Sequence, residues 1–297
     1  MSSDATLATD VAVEQGFEAS DGTHLTGWLW RAEASTRGCV VVVHGLSEHA
    51  RRYGPLARRL AADGWNVFAL DLRGHGASPG KRGVLESFPR IAADIGQAVD
   101  QARHEWSNGG PVVLFGHSLG GLAVLRAVQA RDLGLDALVL CAPWLGEVQG
   151  VRAWQRGLVR LLARVAPRWT VGRTMNTDTL MADEEMAAQR RADPLVHTRM
   201  SAGLLVEVER AKRRARAGRV DPKVPVLVIV PGDDRLLDHR HLRTWIAGQP
   251  EARIEVKEWP GRRHEPLNDV GRDEVIEHLA GWISQHAEGS NRAPSAE

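Results

Sequence analysis

Five residues, Gly116-His117-Ser118-Leu119-Gly120, follow directly on the apolar run Pro111-Val112-Val113-Leu114-Phe115. A helix-forming stretch, Leu122 to Arg131, comes next. A strand that ends in G-x-S-x-G and passes at once into a helix predicts a sharp turn with the serine at its apex. Such a turn strains the serine backbone, and the flanking glycines remove the Cβ atoms that would clash there. The Ser118 hydroxyl then stands above a sheet, at the N-terminus of a helix whose dipole favours developing negative charge. Taken alone, the pattern also fits a glycine-rich turn with a solvated serine. The rest of the chain decides between the two.

The surrounding pattern is that of an α/β protein. Two short strands, around Gly16–Ala19 and Leu25–Trp30, are joined by a turn at Asp21-Gly22. Cys39–Val43 is a continuous apolar run, as expected of a central parallel strand buried on both faces. A helix near Tyr53–Asp63 stops at Gly64, and a strand at Asn66–Leu72 follows. Helical spacing puts Ile91, Ile95, Val99 and Ala102 on one face of Ile91–Trp106. After the elbow comes a strand at Ala137–Cys141. The alternation lapses from Pro143 to Asp221, where no convincing strand is visible. It resumes with Val224–Val230, a helix near His241–Gly248, strand Arg253–Glu258 and a last helix, Asp273–His286. This predicts a mostly parallel sheet flanked by helices, built from 1–142 and 222–286. A structureless loop as long as 143–221 is implausible, so that segment is expected to be a helical cap. The polar tail 287–297 reads as disordered.

Composition narrows the function classes. With 297 residues at 43% apolar and 25% charged, the chain is an ordinary globular protein. A net charge of +1 gives no global field for a polyanion, and aromatics do not interleave with the basic clusters, so no nucleic-acid partner is expected. No window of about 18 apolar residues predicts a transmembrane helix. Met1 to Asp10 lacks a secretory pattern, and Ser2 stands where N-myristoylation needs glycine. Cys39 and Cys141 lie in apolar runs and read as buried reduced thiols rather than a disulfide or metal pair. A cytoplasmic protein without metal or cofactor is the expectation.

A serine hydroxyl near neutral pH needs a base, and the base needs an acid to orient it. On a sheet of this kind they follow in the order Ser, Asp or Glu, His, each in a loop at a strand's C-terminal end. Val224–Val230 runs into Pro231-Gly232-Asp233-Asp234-Arg235, and Arg253–Glu258 runs into a loop ending His264-Glu265. Of the twelve histidines only His264 falls where the base is expected; His117 reads as structural, and His239 and His241 sit on a predicted surface helix. Asp233 and Asp234 compete for the acid, while Asp238 reads as an N-cap. The backbone N–H groups of Leu119 and of Leu46, in the loop His44-Gly45-Leu46, are the expected oxyanion donors.

These residues fall into a wider signature. It comprises His44-Gly45-Leu46-Ser47-Glu48-His49 with Arg52-Tyr53, then Asp71-Leu72-Arg73-Gly74-His75-Gly76-Ala77-Ser78, the elbow, Asp234-Arg235-Leu236 and His264-Glu265. On these stretches, spread over about residues 15–285, the chain resembles the α/β-hydrolase superfamily. Within it, the chain resembles the monoacylglycerol lipase and lysophospholipase group of serine-aminopeptidase-type hydrolases. The resemblance implies Asp234 as the acid and a structural turn around His75. It also implies a glycerol head group held near Glu48 and Arg52, although these two, four apart, also suit an ordinary helix-start ion pair. The implied activity is cofactor-independent hydrolysis of carboxylic esters through an acyl-enzyme on Ser118, with monoacylglycerols the first substrates to test. A lysophospholipase or general carboxylesterase is the alternative within enzymes, and a non-catalytic ligand-binding scaffold is the alternative from another class. The cap matches the group only loosely, at Asp193-Pro194-Leu195.

The cap is also chemically distinct. Residues 145–220 hold 15 Lys and Arg against 8 Asp and Glu, a net of +7 that leaves −6 for the rest. Val148, Val151, Trp154, Leu158, Leu161, Leu162 and Val165 recur at helical spacing, opposite Arg152, Arg156, Arg160 and Arg164. One reading is a basic amphipathic helix in peripheral contact with an anionic membrane. The preferred reading is a cap helix whose apolar face packs on the body while its arginines meet acidic residues. A second cluster, Arg210 to Arg219, reads as a helix end.

Overall fold

The computed structural model of the chain describes residues 12–33, 35–85, 87–147, 153–172 and 176–287. Strands β1 (Val13–Glu18) and β2 (His24–Trp30) form the opening hairpin. Then come β3 (Gly38–Val43), α1 (Gly54–Ala62), β4 (Trp65–Leu70), α2 (Phe88–Gln101), β5 (Val112–His117), α3 (Leu119–Ala130) and β6 (Ala137–Cys141). The segment after β6 carries α4 (Ala153–Val165), β7 (Thr170–Gly172), α5 (Glu184–Ala192), β8 (Arg199–Ser201) and α6 (Ala202–Ala217). The chain closes with β9 (Val226–Pro231), α7 (Arg240–Ala247), β10 (Ile254–Trp259) and α8 (Arg272–Ala287).

Eight strands make one sheet in the order β1-β2-β4-β3-β5-β6-β9-β10. The hairpin and the β2–β4 pair are antiparallel; every other pairing is parallel. Within β3, Val40 and Val42 join the core under α1 and α8, while Cys39, Val41 and Val43 join the core under α2 and α3. A strand covered on both faces has no solvent side, which is why its sequence shows no polar alternation. Each such Val contributes about 1.5–3 kcal/mol by full burial. Both cysteines are buried free thiols.

Because β3, β5, β6, β9 and β10 run parallel, the loops that leave them all open on one rim. The segment between β6 and β9 differs from the sequence reading in two ways. It contains a two-stranded antiparallel ribbon, β7–β8, where no strand was expected. Three-residue strands are too short for alternation to register. Its last helix, α6, lies on the main core, with Leu204, Val208, Ala211 and Ala215 buried beside α3. Residues 288–297, read as a disordered tail, lie outside the described residues, as do Met1 to Asp10, Val148, Val151 and Arg152.

Candidate active site

Ser118 sits between the end of β5 and the first turn of α3 with φ +52° and ψ −113°. That positive φ is strained for a residue with a side chain. Three hydrogen bonds hold it: Ser118 N–H donates to the Cys141 carbonyl, and the Leu122 and Trp144 N–H groups donate to the Ser118 carbonyl, all at 3.0 Å. Gly120 is required on packing grounds, since a Cβ there would lie 2.3 Å from the Val43 carbonyl oxygen.

His264 joins Ser118 to Asp234. His264 Nε2 lies 2.9 Å from Ser118 Oγ, and its Nδ1 lies 2.9 Å from Asp234 Oδ2. Asp234 is fixed in turn by the Leu236 and Leu237 N–H groups, each donating to Oδ1 at 2.9 Å. Burial raises the Asp234 carboxyl, but the charge of His264 and hydrogen bonds from His239, His264 and the Leu237 amide hold it far below the usual range. Burial opposes protonation of His264, yet Asp234, with Glu265 and Glu48 behind it, lifts its pKa above the ordinary 6.5. Asp233 turns outward and pairs with Arg235 at 2.9 Å. The geometry therefore places Asp234, not Asp233, against the imidazole.

Two neighbouring histidines stand differently from one another. His117 is buried with its ring 5.0 Å from that of His264, and burial with the nearby His264 charge lowers its pKa to about 4. His239, expected on a surface helix, instead brings Nε2 to 3.0 Å from Asp234 Oδ2. It occupies the N-cap of α7, one residue beyond Asp238, whose Oδ1 accepts from the Arg240 N–H at 2.9 Å. The five-residue step from Asp234 was its only sequence signal.

The loop after β3 passes directly over the serine. A Cβ on Gly45 would lie 3.2 Å from Ser118 Cβ, so the backbone approaches as only glycine permits. Leu46 follows Gly45, and Ser47, two residues beyond Gly45 in this loop, has a φ of +65°. Leu119 is the first residue of α3, and its N–H has no acceptor within the helix. These are the positions from which two N–H groups could converge on an oxyanion.

Glu48 and Arg52 are both buried and both engaged. Glu48 Oε1 accepts from the Gly45 N–H at 2.6 Å and the Tyr53 hydroxyl at 3.0 Å, and its Oε2 lies 3.3 Å from Arg52 Nε. Arg52 donates from Nη2 to Glu265 Oε2 at 2.7 Å, and Arg190 Nη1 lies 3.1 Å from Glu265 Oε1. Two carboxylates and two guanidiniums thus form one buried chain. Burial raises the Glu48 carboxyl, but His117, Arg52 and Arg190 bring it down to about 2. Sequence reasoning assigned no role to Glu265 or Arg190. Glu265 is signalled by its place beside His264; Arg190 has no local signal, because only docking of α5 buries it.

Helix α4 departs from the preferred expectation. Trp154, Leu158, Leu161 and Val165 are 48–70% exposed, while Val159 and Leu162 are half-buried. Arg156, Arg160 and Arg164 are exposed too, along a cavity of about 1190 Å³ shared with α6. Among the described residues no helix is long and apolar enough to cross a membrane.

With this geometry in view, comparison with known proteins gives a consistent result. The serine aminopeptidase, S33 family pattern matches residues 34–271. A monoacylglycerol lipase of Mycolicibacterium smegmatis is 31% identical over 94% of this chain and 100% of its own length. Phospholipase YtpA of Bacillus subtilis is 29% identical over 87% of this chain and 99% of its own. The crystal structure of Paleococcus ferrophilus monoacylglycerol lipase superimposes with a TM-score of 0.78 at 29% identity, covering 88% of this chain and 99% of that one.

Proposed function

The chain belongs to the serine aminopeptidase, S33 family of α/β hydrolases and is a carboxylic ester hydrolase; on that premise we propose that it cleaves monoacylglycerols to glycerol and fatty acid, with Ser118 as nucleophile. The observation that carries this reading is the unbroken path from Ser118 Oγ through His264 to Asp234, with 2.9 Å at both steps.

The reaction follows from that path. His264 Nε2 takes the hydroxyl proton as Ser118 Oγ bonds to the ester carbonyl carbon. The carbonyl oxygen becomes an oxyanion and receives hydrogen bonds from the Leu46 and Leu119 N–H groups. Loss of one such donor raises a barrier by about 2.7–4 kcal/mol. The C–O bond then breaks, and the leaving alkoxide takes the proton from imidazolium His264. Water repeats the sequence on the acyl-enzyme, its proton passing through His264 to Ser118 as the fatty acid leaves. Asp234 stays ionised throughout, fixing the His264 tautomer and stabilising its charged form.

Residues 143–221 act in this reading as a cap over the acyl pocket, and the exposed apolar face of α4 makes peripheral contact with lipid. Trp154, Leu158, Leu161 and Val165, with Trp169 and Val171 beyond the helix, are large apolar side chains held in solvent. Lipid supply from a surface gives them a partner. The deciding experiment is a panel of monoacylglycerols and p-nitrophenyl esters of matched acyl length, with fluorophosphonate labelling of Ser118. Turnover of both classes, abolished by the label, is expected. Labelling without turnover of any ester would overturn the reading in favour of a ligand-binding scaffold.

A further inference from the structure

Asp234 serves two histidines. His264 Nδ1 and His239 Nε2 lie 2.9 Å and 3.0 Å from the same atom, Asp234 Oδ2, while Oδ1 accepts from the Leu236 and Leu237 N–H groups. An ionised carboxylate has about four acceptor sites and no proton to give, so its sites are filled and both rings donate. Neutral His264 is thereby the Nδ1–H tautomer, with Nε2 left to accept from Ser118 Oγ. His239 carries its proton on Nε2.

The helix that carries His239 makes no use of its ring. His239 stands at the N-cap of α7, yet its side chain caps no backbone N–H. Asp238 takes that part, accepting from the Arg240 N–H and pairing with the Arg240 guanidinium. Among the described residues, Asp234 is the one hydrogen-bond partner of the His239 ring. Packing fixes the approach from both sides in the chain: Leu237 is buried in the turn, and Leu242 and Trp245 seat α7 on the core. The His239 side chain is left only 10% exposed. The charged groups around it are Asp234 and His264 on the strand-end loops, and Asp238 with Arg240 beside it in sequence; His241 lies against Gly146.

The two rings compete for one oxygen. A carboxylate bonded by His264 alone would hold the imidazolium more tightly, making His264 a stronger base that returns its proton to the leaving alkoxide less readily. The sign is the same for either form of His239. The neutral ring draws on Oδ2 by a hydrogen bond, and the protonated ring adds a positive charge. The second bond also holds the carboxylate in the orientation that aligns the imidazole.

We propose that His239 is a positioning residue for the ester hydrolysis, clamping Asp234 and drawing off part of the charge that would otherwise fall on His264. It acts through Asp234 and touches no reacting atom. The inference rests on the ester hydrolase reading above, with Ser118, His264 and Asp234 as the machinery.

The pH profile of kcat/KM on p-nitrophenyl butyrate tests this in the wild type, His239→Ala and His239→Gln. An NMR titration of the His264 imidazole, assigned with His264→Gln, is read beside it, and circular dichroism reports the fold. In His239→Ala the acid limb and the His264 titration should both move up by about 0.5–1 pH unit, the size of one lost hydrogen bond. Glutamine keeps a donor without a charge, so His239→Gln should return both toward the wild type. A limb and a titration that stay in place or move down in His239→Ala overturn the proposal. So does a His239→Gln protein that matches the alanine variant in both readings. Absence of ester turnover by the wild type would defeat the hydrolase reading separately, and the His264 titration would still decide whether His239 shares Asp234 with His264.

Discussion

Arg190 on α5 lies 3.1 Å from the carboxylate of Glu265, the residue that follows His264 in the chain. Its Nη2 also donates to the Ser47 carbonyl at 3.4 Å, in the loop that crosses above Ser118. One side chain from the segment between β6 and β9 thereby touches both loops that frame the nucleophile. Other contacts fasten the same segment. The Glu265 N–H donates to the Leu180 carbonyl at 2.8 Å, and Asp269 accepts from the Ala182 N–H at 2.5 Å. His49 Nε2 stands 2.7 Å from Asp193 Oδ2. The part of this segment around α5 is therefore built into the site, whereas α4 holds Trp154, Leu158, Leu161 and Val165 in solvent.

Glu265→Leu is expected to destabilise the protein more than Arg190→Met. The first change leaves Arg190 without a carboxylate and Arg52 with Glu48 alone; the second leaves Glu265 still paired with Arg52. Removing one partner of a buried pair costs about 3–5 kcal/mol. A double-mutant cycle by chemical denaturation should give a coupling on the order of 0.5–3 kcal/mol between the two positions. Additivity within a few tenths would mean the contact is energetically idle.

Ser118→Ala and His264→Ala should each lower kcat by about 10⁴-fold or more, and the double variant should be little worse, because the residues act as a unit. Asp234→Asn should cost about 10⁴-fold by presenting the wrong histidine tautomer. Asp233→Asn should stay near wild type, as its carboxylate faces solvent and Arg235. The reverse pattern at 233 and 234 would move the acid by one residue.

Arg52→Ala should reduce kcat/KM by the same factor on a monoacylglycerol and on a p-nitrophenyl ester of equal chain length. Arg52 lies between Glu48 and Glu265, and Glu48 holds the Gly45 N–H, so the disturbance reaches the oxyanion loop with either substrate. A larger loss on the monoacylglycerol would instead put Arg52 at the glycerol head group, because the p-nitrophenyl leaving group has no hydroxyls to bind.

Activity and stability should respond to pH with several signs. Catalysis needs neutral His264, whose pKa is raised despite burial by Asp234, so kcat/KM should fall as pH drops through a value above 6.5. The stability His264 contributes has the opposite sense: it is complete below 6.5 and is lost as pH rises through the folded pKa. His44, His75, His117 and His197 are all shifted down, chiefly by burial, the last two to about 4. Their contributions are present above 6.5 and lost as pH falls below it. His278 is lowered by burial as well, and five outnumber one, so denaturation midpoints should decline from pH 6.5 to about pH 5, above the range where most carboxylates titrate. A flat midpoint over that interval, or an acid limb of activity centred well below 6.5, would contradict these assignments.

Trp154→Ser/Leu158→Ser should weaken co-sedimentation with phospholipid vesicles while leaving turnover of a short, dispersed p-nitrophenyl ester intact. Both residues point into solvent, so the change removes lipid contact rather than core packing. Vesicle binding that is absent in the wild type, or unchanged in the variant, would leave α4 without a membrane role.

The sheet was legible because its signals are local. Cys39–Val43 and Pro111–Phe115 read as buried strands, and the observed β3 and β5 begin within one residue of those limits. The Ser118 elbow was legible for the same reason, since glycine spacing and a strand-to-helix change lie within about ten residues. His264 and the Asp233-Asp234 pair were found by their places at strand ends, because parallel topology sends those ends to one rim. The choice between Asp233 and Asp234 came from resemblance; in the structure the Asp234 carboxylate is buried against His264 and that of Asp233 meets Arg235. Where reasoning from one helix failed, the reason was missing geometry. The periodicity of α4 set apolar residues apart from arginines, but nothing in a single helix says which side chains meet the body. His239 and Arg190 likewise acquired their partners only when α7 and α5 docked.

The sequence by itself determined the parallel core, the strained serine and the loops that carry His264 and Asp234, because each depends on steric and hydrophobic rules acting over a few residues. Only the tertiary structure decided the buried Glu48–Arg52–Glu265–Arg190 chain, the second histidine on Asp234 and the exposure of Trp154, Leu158, Leu161 and Val165 on α4. Those depend on distances between segments far apart in the chain, and electrostatic energies at such contacts change steeply with separation and burial.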